Sequence, residues 1–282
     1  MIRYRISSSE LTERIDTLAP GWRGRAQLRT SRFLQLGRYE ESSSIWSEVK
    51  LVYMTLQRDK CAYCEQRLEG GRKGTIAHDL EHFRPKASVR AWPSDSTLYS
   101  FATGDAYSDG YFALAYHPEN YLTACKVCNS QYKSDYFPIL GTRVTQGLVP
   151  DDFANEEPLL IYPLGENGPD PEDLLVFEGV EVKPRYEEGI DGKRGRVLID
   201  FFELNREELQ EGRAWSLLAA WFTFPKAVEG DALASSHLER LTSPQGAHTN
   251  CLRQFVRLCY TNQDLASEYA AVAHEVLRRS ET

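Results

Sequence analysis

The chain begins with helical periodicity. Leu11, Ile15 and Leu18 recur at spacings of four and three, which predicts a short amphipathic helix ended by Pro20-Gly21. The arginines from Arg23 to Arg32 ride on a second helical stretch. Ile45, Val49, Val52 and Leu56 form a third stripe, with Ser42, Ser43 and Ser44 offering N-caps. Between Cys61 and Pro138 the periodicity fades. Gly70-Gly71 and Gly74 mark a turn, and residues 91–111, rich in Ser, Asp and Gly with interspersed aromatics, predict a long loop or insertion. A short helix is expected over residues 125–132. Residues 158–163, bounded by prolines, predict a buried strand, and residues 174–177 and 180–182 flank Glu178-Gly179 as a hairpin. Three apolar helix faces close the chain: Ala214, Leu217, Leu218 and Trp221; Leu252, Phe255, Val256 and Cys259; Leu265, Tyr269, Val272 and Val276. They suit scaffold or a docking surface. The pattern predicts an α+β protein with three regions: helical and basic (1–58), aperiodic and motif-rich (59–140), and an acidic β segment followed by helices (141–282).

Composition adds little to that division and charge adds more. With 282 residues, 41% apolar and 26% charged, the chain is ordinary globular protein. No apolar run reaches the roughly 18 residues of a membrane span. An apolar stretch does not follow the basic N-terminus, so no signal peptide is expected and a cytoplasmic location is the default. The net charge of −8 weighs against a protein that coats nucleic acid through bulk positive charge. The charge is uneven, however. Arg23, Arg25, Arg29, Arg32 and Arg38 lie in a stretch without acids, whereas Asp151 to Glu181 is strongly acidic. That asymmetry suits a nucleic-acid face apart from a face for something else; the plain alternative is a solvated helix face.

The candidate chemistry lies between Cys61 and Lys133. Cys61-x-x-Cys64 and Cys125-x-x-Cys128 are two thiolate pairs, together the four ligands of a tetrahedral Zn²⁺. A cytosolic chain is more apt to use such pairs for metal than for disulfides. Cys251 and Cys259, on an amphipathic helix, are expected to be buried inert thiols. Between the pairs stands Glu81-His82. A histidine suits the activation of water and a carboxylate suits a hard cation such as Mg²⁺ or Mn²⁺. Adjacent strand residues face opposite ways, so the two flank one phosphate only if the backbone bends or a helix supplies a third group. Asn129, directly after the last cysteine, could ligate through its amide oxygen or cap a helix. Asn120 could hold a loop. Arg84, Lys86 and Lys133 are the natural phosphate clamps.

This order resembles the HNH endonuclease family, which has a ββα-metal fold. The resemblance implies that His82 is the general base, Glu81 and Asn129 bind the catalytic metal (Mg²⁺ or Mn²⁺), Asn120 is the loop-holding asparagine, and Cys61, Cys64, Cys125 and Cys128 bind structural zinc. The wording Cys-x-Tyr-Cys-Glu, Glu-His-Phe-Arg-Pro-Lys and Cys-x-x-Cys-Asn-x-x-x-Lys-x-Asp-x-Phe-Pro is similar to the bacterial Septu-type HNH nucleases, which act in phage defence beside a partner ATPase. Residues 159–163 and Glu203-Leu204-Asn205-Arg206 resemble downstream features of the same group. The motif covers about the middle quarter of the chain. It departs from the common pattern in having Glu before the histidine, Asn at the last position, and a long segment between Lys86 and His117.

Three readings follow: a DNA endonuclease gated by a partner ATPase or sensor; a zinc-stabilised binding module without hydrolysis; and an RNase, for instance on tRNA. Tyr99, Phe101, Tyr107, Tyr111 and Phe112 could stack bases for the last, although a local aromatic core is the simpler use of them.

Overall fold

The computed structural model describes residues 1–95 and 97–280; Ser96, inside the long loop, and Glu281 and Thr282 lie outside the described residues. The chain is α+β, about half helical, with two small sheets. Its contacts divide it into two discontinuous units, Tyr4–Gln57 with Glu69–Gly168, and Met1–Arg3 with Arg58–Leu68 and Pro169–Thr282. This differs from the boundaries after 58 and 140 read from the sequence. Among the described residues, no helix is long and apolar enough to cross a membrane.

The unit of Tyr4–Gln57 and Glu69–Gly168 holds the Glu81-His82 segment. Helix α1 (Ser8–Leu18) is capped by the Ser7 hydroxyl, which accepts from Glu10 N. Glycines in the left-handed conformation bracket α2 (Trp22–Leu36). The third apolar stripe is buried as expected, but it runs through a 3₁₀ turn at Trp46–Val49 before α3 (Lys50–Leu56), and the preceding serines do not cap it. Strand β1 (Asp79–His82) pairs antiparallel with β2 (Tyr121–Ala124), Glu81 opposite Leu122 and His82 opposite Tyr121. Two strands of four residues are marginal by themselves. Gln57, at the end of α3, bonds both backbone groups of Thr123, its Nε2 donating to the carbonyl at 2.7 Å and its Oε1 accepting from the N–H at 2.7 Å. The open edge of β2 is thus satisfied by a side chain. After Cys125 the chain enters a π-helix, Val127–Lys133, a form found mostly at functional sites.

The arginines of α2 are largely neutralised. Arg23 pairs with Asp16, Arg25 with Glu48 and Arg29 with Glu41, and just past the helix Arg38 pairs with Glu40. Residues 158–163 form no strand. Leu159, Leu160 and Ile161 are buried, yet the segment makes only isolated bridges at Ile139↔Pro158 and Tyr4↔Leu164. The prolines at 158 and 163 lack the N–H a ladder needs.

In the other unit a short helix, α4 (Pro171–Leu174), leads into the hairpin β3 (Leu175–Glu178) and β4 (Glu181–Pro184). Helix α5 (Gly189–Phe201) packs on this hairpin. Gly195 allows the approach, since a Cβ there would lie 2.8 Å from the Leu174 carbonyl oxygen. Helices α6 (Glu207–Val228), α7 (Ala232–Thr242), α8 (Thr249–Thr261) and α9 (Gln263–Ser280) share an apolar core around Leu217, Leu252, Phe255 and Ala273. Cys259 is buried in that core, and Cys251 is buried against the hairpin turn, its Sγ donating to the Gly179 carbonyl at 3.5 Å; burial pushes the two thiols up to about 11 and about 12.

Candidate metal and hydrolytic centre

The two cysteine pairs sit in different local settings. Cys61–Cys64 forms a tight knuckle in which Glu65 N donates to the Cys61 carbonyl at 3.1 Å and Cys61 N to the Gln66 carbonyl at 3.0 Å. Arg58, Asp59 and Glu65 take positive φ to make this turn. At the other pair, Cys128 N points at Cys125 Sγ, 3.4 Å away, and Asn129 N donates to the Cys125 carbonyl at 2.9 Å. An N–H aimed at sulfur favours the thiolate. All four cysteines are free and buried, and their sulfurs lie within 4.8 Å of one another, a group able to hold one metal ion. A tetrahedral zinc with sulfurs at 2.3 Å needs them roughly 3.8 Å apart, and a set of soft thiolates in a dry pocket matches that metal's preference.

Strand β1 alternates as a strand must, and its two faces do different things. Asp79 and Glu81 face the π-helix. Asp79 Oδ2 accepts from Asn129 Nδ2 at 2.9 Å, and Asp79 Oδ1 pairs with Lys126 Nζ at 2.6 Å. Glu81 Oε1 lies 3.1 Å from Lys133 Nζ, with both side chains buried. Burial raises the Glu81 carboxyl above its ordinary range despite Lys133 and Lys86, and burial lowers the Lys133 ammonium.

His82 points the other way, into an aromatic box. Its ring meets Trp46 edge-on at 5.0 Å and Tyr121 at 5.1 Å. Nε2 lies 3.0 Å from the Ala115 carbonyl oxygen, which also accepts from the Tyr121 hydroxyl. A carbonyl only accepts, so Nε2 carries the proton and Nδ1 keeps the lone pair. Burial, with help from Lys86, holds the His82 pKa well below its ordinary value. The imidazole is therefore neutral at pH 7, with its basic nitrogen defined.

Asn120 builds the loop around that histidine. It is 1% exposed. Its Oδ1 accepts from Arg84 N at 2.8 Å, and its Nδ2 donates to the Arg84 and Leu114 carbonyls, both at 3.1 Å. One amide thereby ties the residues just after His82 to the residue just before Ala115.

The three cations read as phosphate clamps are placed unequally. Arg84 is buried in an ion pair with Glu156, boxed by the rings of Tyr111, Phe137 and Phe153. Lys133 is spent on Glu81. Neither reaches solvent, and burial of a charge with its partner is what holds them. Lys86 is partly exposed, its ammonium 4.8 Å from the Trp46 ring centre and 5.3 Å from that of Tyr39. Two features escaped the sequence reading. Asp79 belongs to the carboxylate face, and the period of two, Asp79-x-Glu81, was its signal. Trp46 walls the histidine, and only the three-dimensional fold brings it there.

Among curated proteins the chain is similar to a Septu protein PtuB from Bacillus mycoides (strain KBAB4), 31% identical over 166 residues, which are 59% of this chain and 50% of that protein. The chain thus spans about half the length of the curated relative it matches. No family model matches the chain, and no solved structure matches it.

Proposed function

We propose that the chain is a metal-dependent endonuclease of the HNH type that hydrolyses phosphodiester bonds of DNA, working in anti-phage defence under the control of a partner ATPase. One observation carries the reading: a neutral, buried histidine whose Nε2 is held by the Ala115 carbonyl, leaving Nδ1 as a base, on the strand whose other face presents Asp79 to Asn129 and Glu81 to Lys133. A zinc-stabilised binding module has no use for that arrangement. The likeness to a Septu protein supports the defence setting.

In this reading His82 Nδ1 takes a proton from the attacking water. Trp46 and Tyr121 fix the ring plane, and Asn120 fixes the loop that carries the Ala115 carbonyl. Lys86 contacts a phosphate oxygen from its partly exposed position. Arg84 and Lys133 act indirectly, by holding the chain on either side. Asp79, Glu81 and the Asn129 side-chain oxygen are hard oxygen donors, the kind Mg²⁺ or Mn²⁺ takes. A cation held by them would supply charge neutralisation at the phosphate and the leaving oxygen. The four cysteines hold structural zinc, which fixes the start of the π-helix and hence Asn129.

The test is nicking of supercoiled plasmid, with tRNA in parallel, by the wild type and Asn129→Ala, alone and with the partner ATPase, in Mg²⁺, Mn²⁺ or EDTA. Cation-dependent plasmid nicking that Asn129→Ala loses is the expected result. Failure of the wild type to cut either nucleic acid with the partner present would favour the binding module, and cutting of tRNA alone would favour the RNase.

A further inference from the structure

The long segment after Lys86 is not a featureless insertion. Residues 91–93, 99, 101–107 and 139–143 line an open cavity of about 550 Å³, with Trp92, Tyr99, Phe101, Tyr107, Ile139 and Arg143 among them. Its size is that of a pocket for a small organic ligand. The aromatic rings form a continuous wall: Tyr99 and Phe101 stack at 4.9 Å between centroids, and Trp92 lies 5.8 Å from Tyr99. If these rings served only to give the loop a core, they would close on one another and fill the space. Instead a volume remains beside them.

The opposite wall is held in place by backbone. Ile139 N donates to the Thr103 carbonyl at 2.9 Å. Gly104, at φ +80°, lies so close to Ile139 that a Cβ would fall 2.6 Å from its Cγ1. Arg143 supplies the charge. Its guanidinium bonds only neutral acceptors among the described residues, namely the Asp105 and Phe137 carbonyls and the Tyr111 hydroxyl, at 2.7 to 3.2 Å. The carboxylate of Glu156 is one hydroxyl away, through Tyr111, but it is paired with Arg84. A guanidinium without an ion pair of its own among the described residues, at the rim of an aromatic wall, matches a flat heterocycle joined to an anion. Lipids and simple sugars lack one or the other of those two parts.

The loop is also anchored next to the residues of the hydrolytic centre. Val89 and Tyr107 exchange backbone hydrogen bonds at 2.7 and 2.8 Å, and Arg90 N donates to the Asp135 carbonyl at 3.0 Å. The anchors are three residues beyond Lys86 and two beyond Lys133. We infer that this cavity takes a single unpaired nucleobase of the substrate strand, stacked on the Trp92–Tyr99–Phe101 wall with its phosphate toward Arg143. The inference rests on the endonuclease reading for its ligand, but it concerns binding alone. Every base has a π-face, so the pocket is expected to grip a strand with little preference for sequence.

The test is fluorescence anisotropy of short single-stranded oligonucleotides, deoxy and ribo, with the full zinc-loaded chain in buffer without Mg²⁺ or Mn²⁺ so that no cleavage occurs. An abasic site is walked along the oligonucleotide, and Phe101→Ala and Trp92→Ala are measured beside the wild type. Loss of one base is expected to weaken binding by about 5- to 150-fold at a single register, the range for one stacked base. Phe101→Ala is expected to bind the intact oligonucleotide as weakly and to be indifferent to the abasic site. The deoxy and ribo series show which strand the pocket serves. A flat abasic scan with wild-type protein, no binding by the wild type, or wild-type affinity in both variants overturns the pocket. Cutting of plasmid by a protein with a flat scan would leave the nuclease standing without the pocket, and a positive scan without cutting would do the reverse.

Discussion

Lys133 Nζ lies 3.1 Å from Glu81 Oε1, and neither side chain is exposed. The π-helix that starts within the second cysteine pair is thereby locked to the first strand by charge. Replacing Lys133 with Met strips the countercharge from a buried carboxylate and is expected to cost about 3–5 kcal/mol at pH 8. Burial already raises the Glu81 carboxyl, and without Lys133 it rises further. A raised carboxyl binds its proton more tightly folded than unfolded, so stability returns as pH falls. Urea unfolding of Lys133→Met should therefore show a smaller loss at pH 5 than at pH 8, and adding Glu81→Gln should restore most of it at both.

Asn120 makes three buried hydrogen bonds to backbone on both sides of the histidine. Asn120→Ala would leave the Arg84 N–H and the Arg84 carbonyl unsatisfied, while the Leu114 carbonyl keeps its bond from His117 N; the loss is about 2 kcal/mol. The expected signature is a lowered unfolding midpoint together with faster hydrogen exchange at the Arg84 amide, whereas exchange in helices α6 to α9 stays unchanged.

These two residues also show what sequence could and could not convey. The cysteine pairs, Glu81-His82 and Asn129 were legible because their chemistry is tied to fixed spacing. Asp79 was overlooked beside Glu81, although strand alternation places both on one face. Helix α5 was invisible because Gly189, Gly192 and Gly195 look like breakers; two of them instead permit close approach to neighbouring backbone. The arginines of α2 gave no sign of being paired, since Glu41 and Glu48 lie beyond the acid-free stretch. Arg84 looked like a phosphate clamp until Glu156, 72 residues away, supplied its buried partner.

The thiols separate into two classes. Four of the six cysteines form the cluster, and Cys251 and Cys259 are buried with raised pKa values. Purified protein is expected to carry one zinc per chain. Titration of the native protein with a mercurial should release that zinc as four thiols react, leaving two that react only on unfolding. Cys128→Ser should bind zinc weakly and melt at lower temperature.

His248 gives the helical unit an acid sensitivity. It is buried, and burial with Arg213 nearby lowers its pKa to about 3. The folded state thus refuses a proton that the unfolded chain accepts below about 6.5. Its share of stability is present above that pH and is lost as pH falls toward 3. His248 has φ 51°, which Asn tolerates. His248→Asn is therefore expected to flatten the decline of the urea midpoint between pH 6.5 and 3 relative to wild type.

His82 Nδ1, freed by the Nε2 bond to the Ala115 carbonyl, is the proposed base. The most direct measurement is the single-turnover rate of plasmid nicking by His82→Ala and wild type, with the partner present and zinc content and melting temperature matched. Loss of a general base costs roughly 10²- to 10⁴-fold, and a fall of that size with zinc retained is expected. Equal rates in the two proteins would exclude His82 as the base.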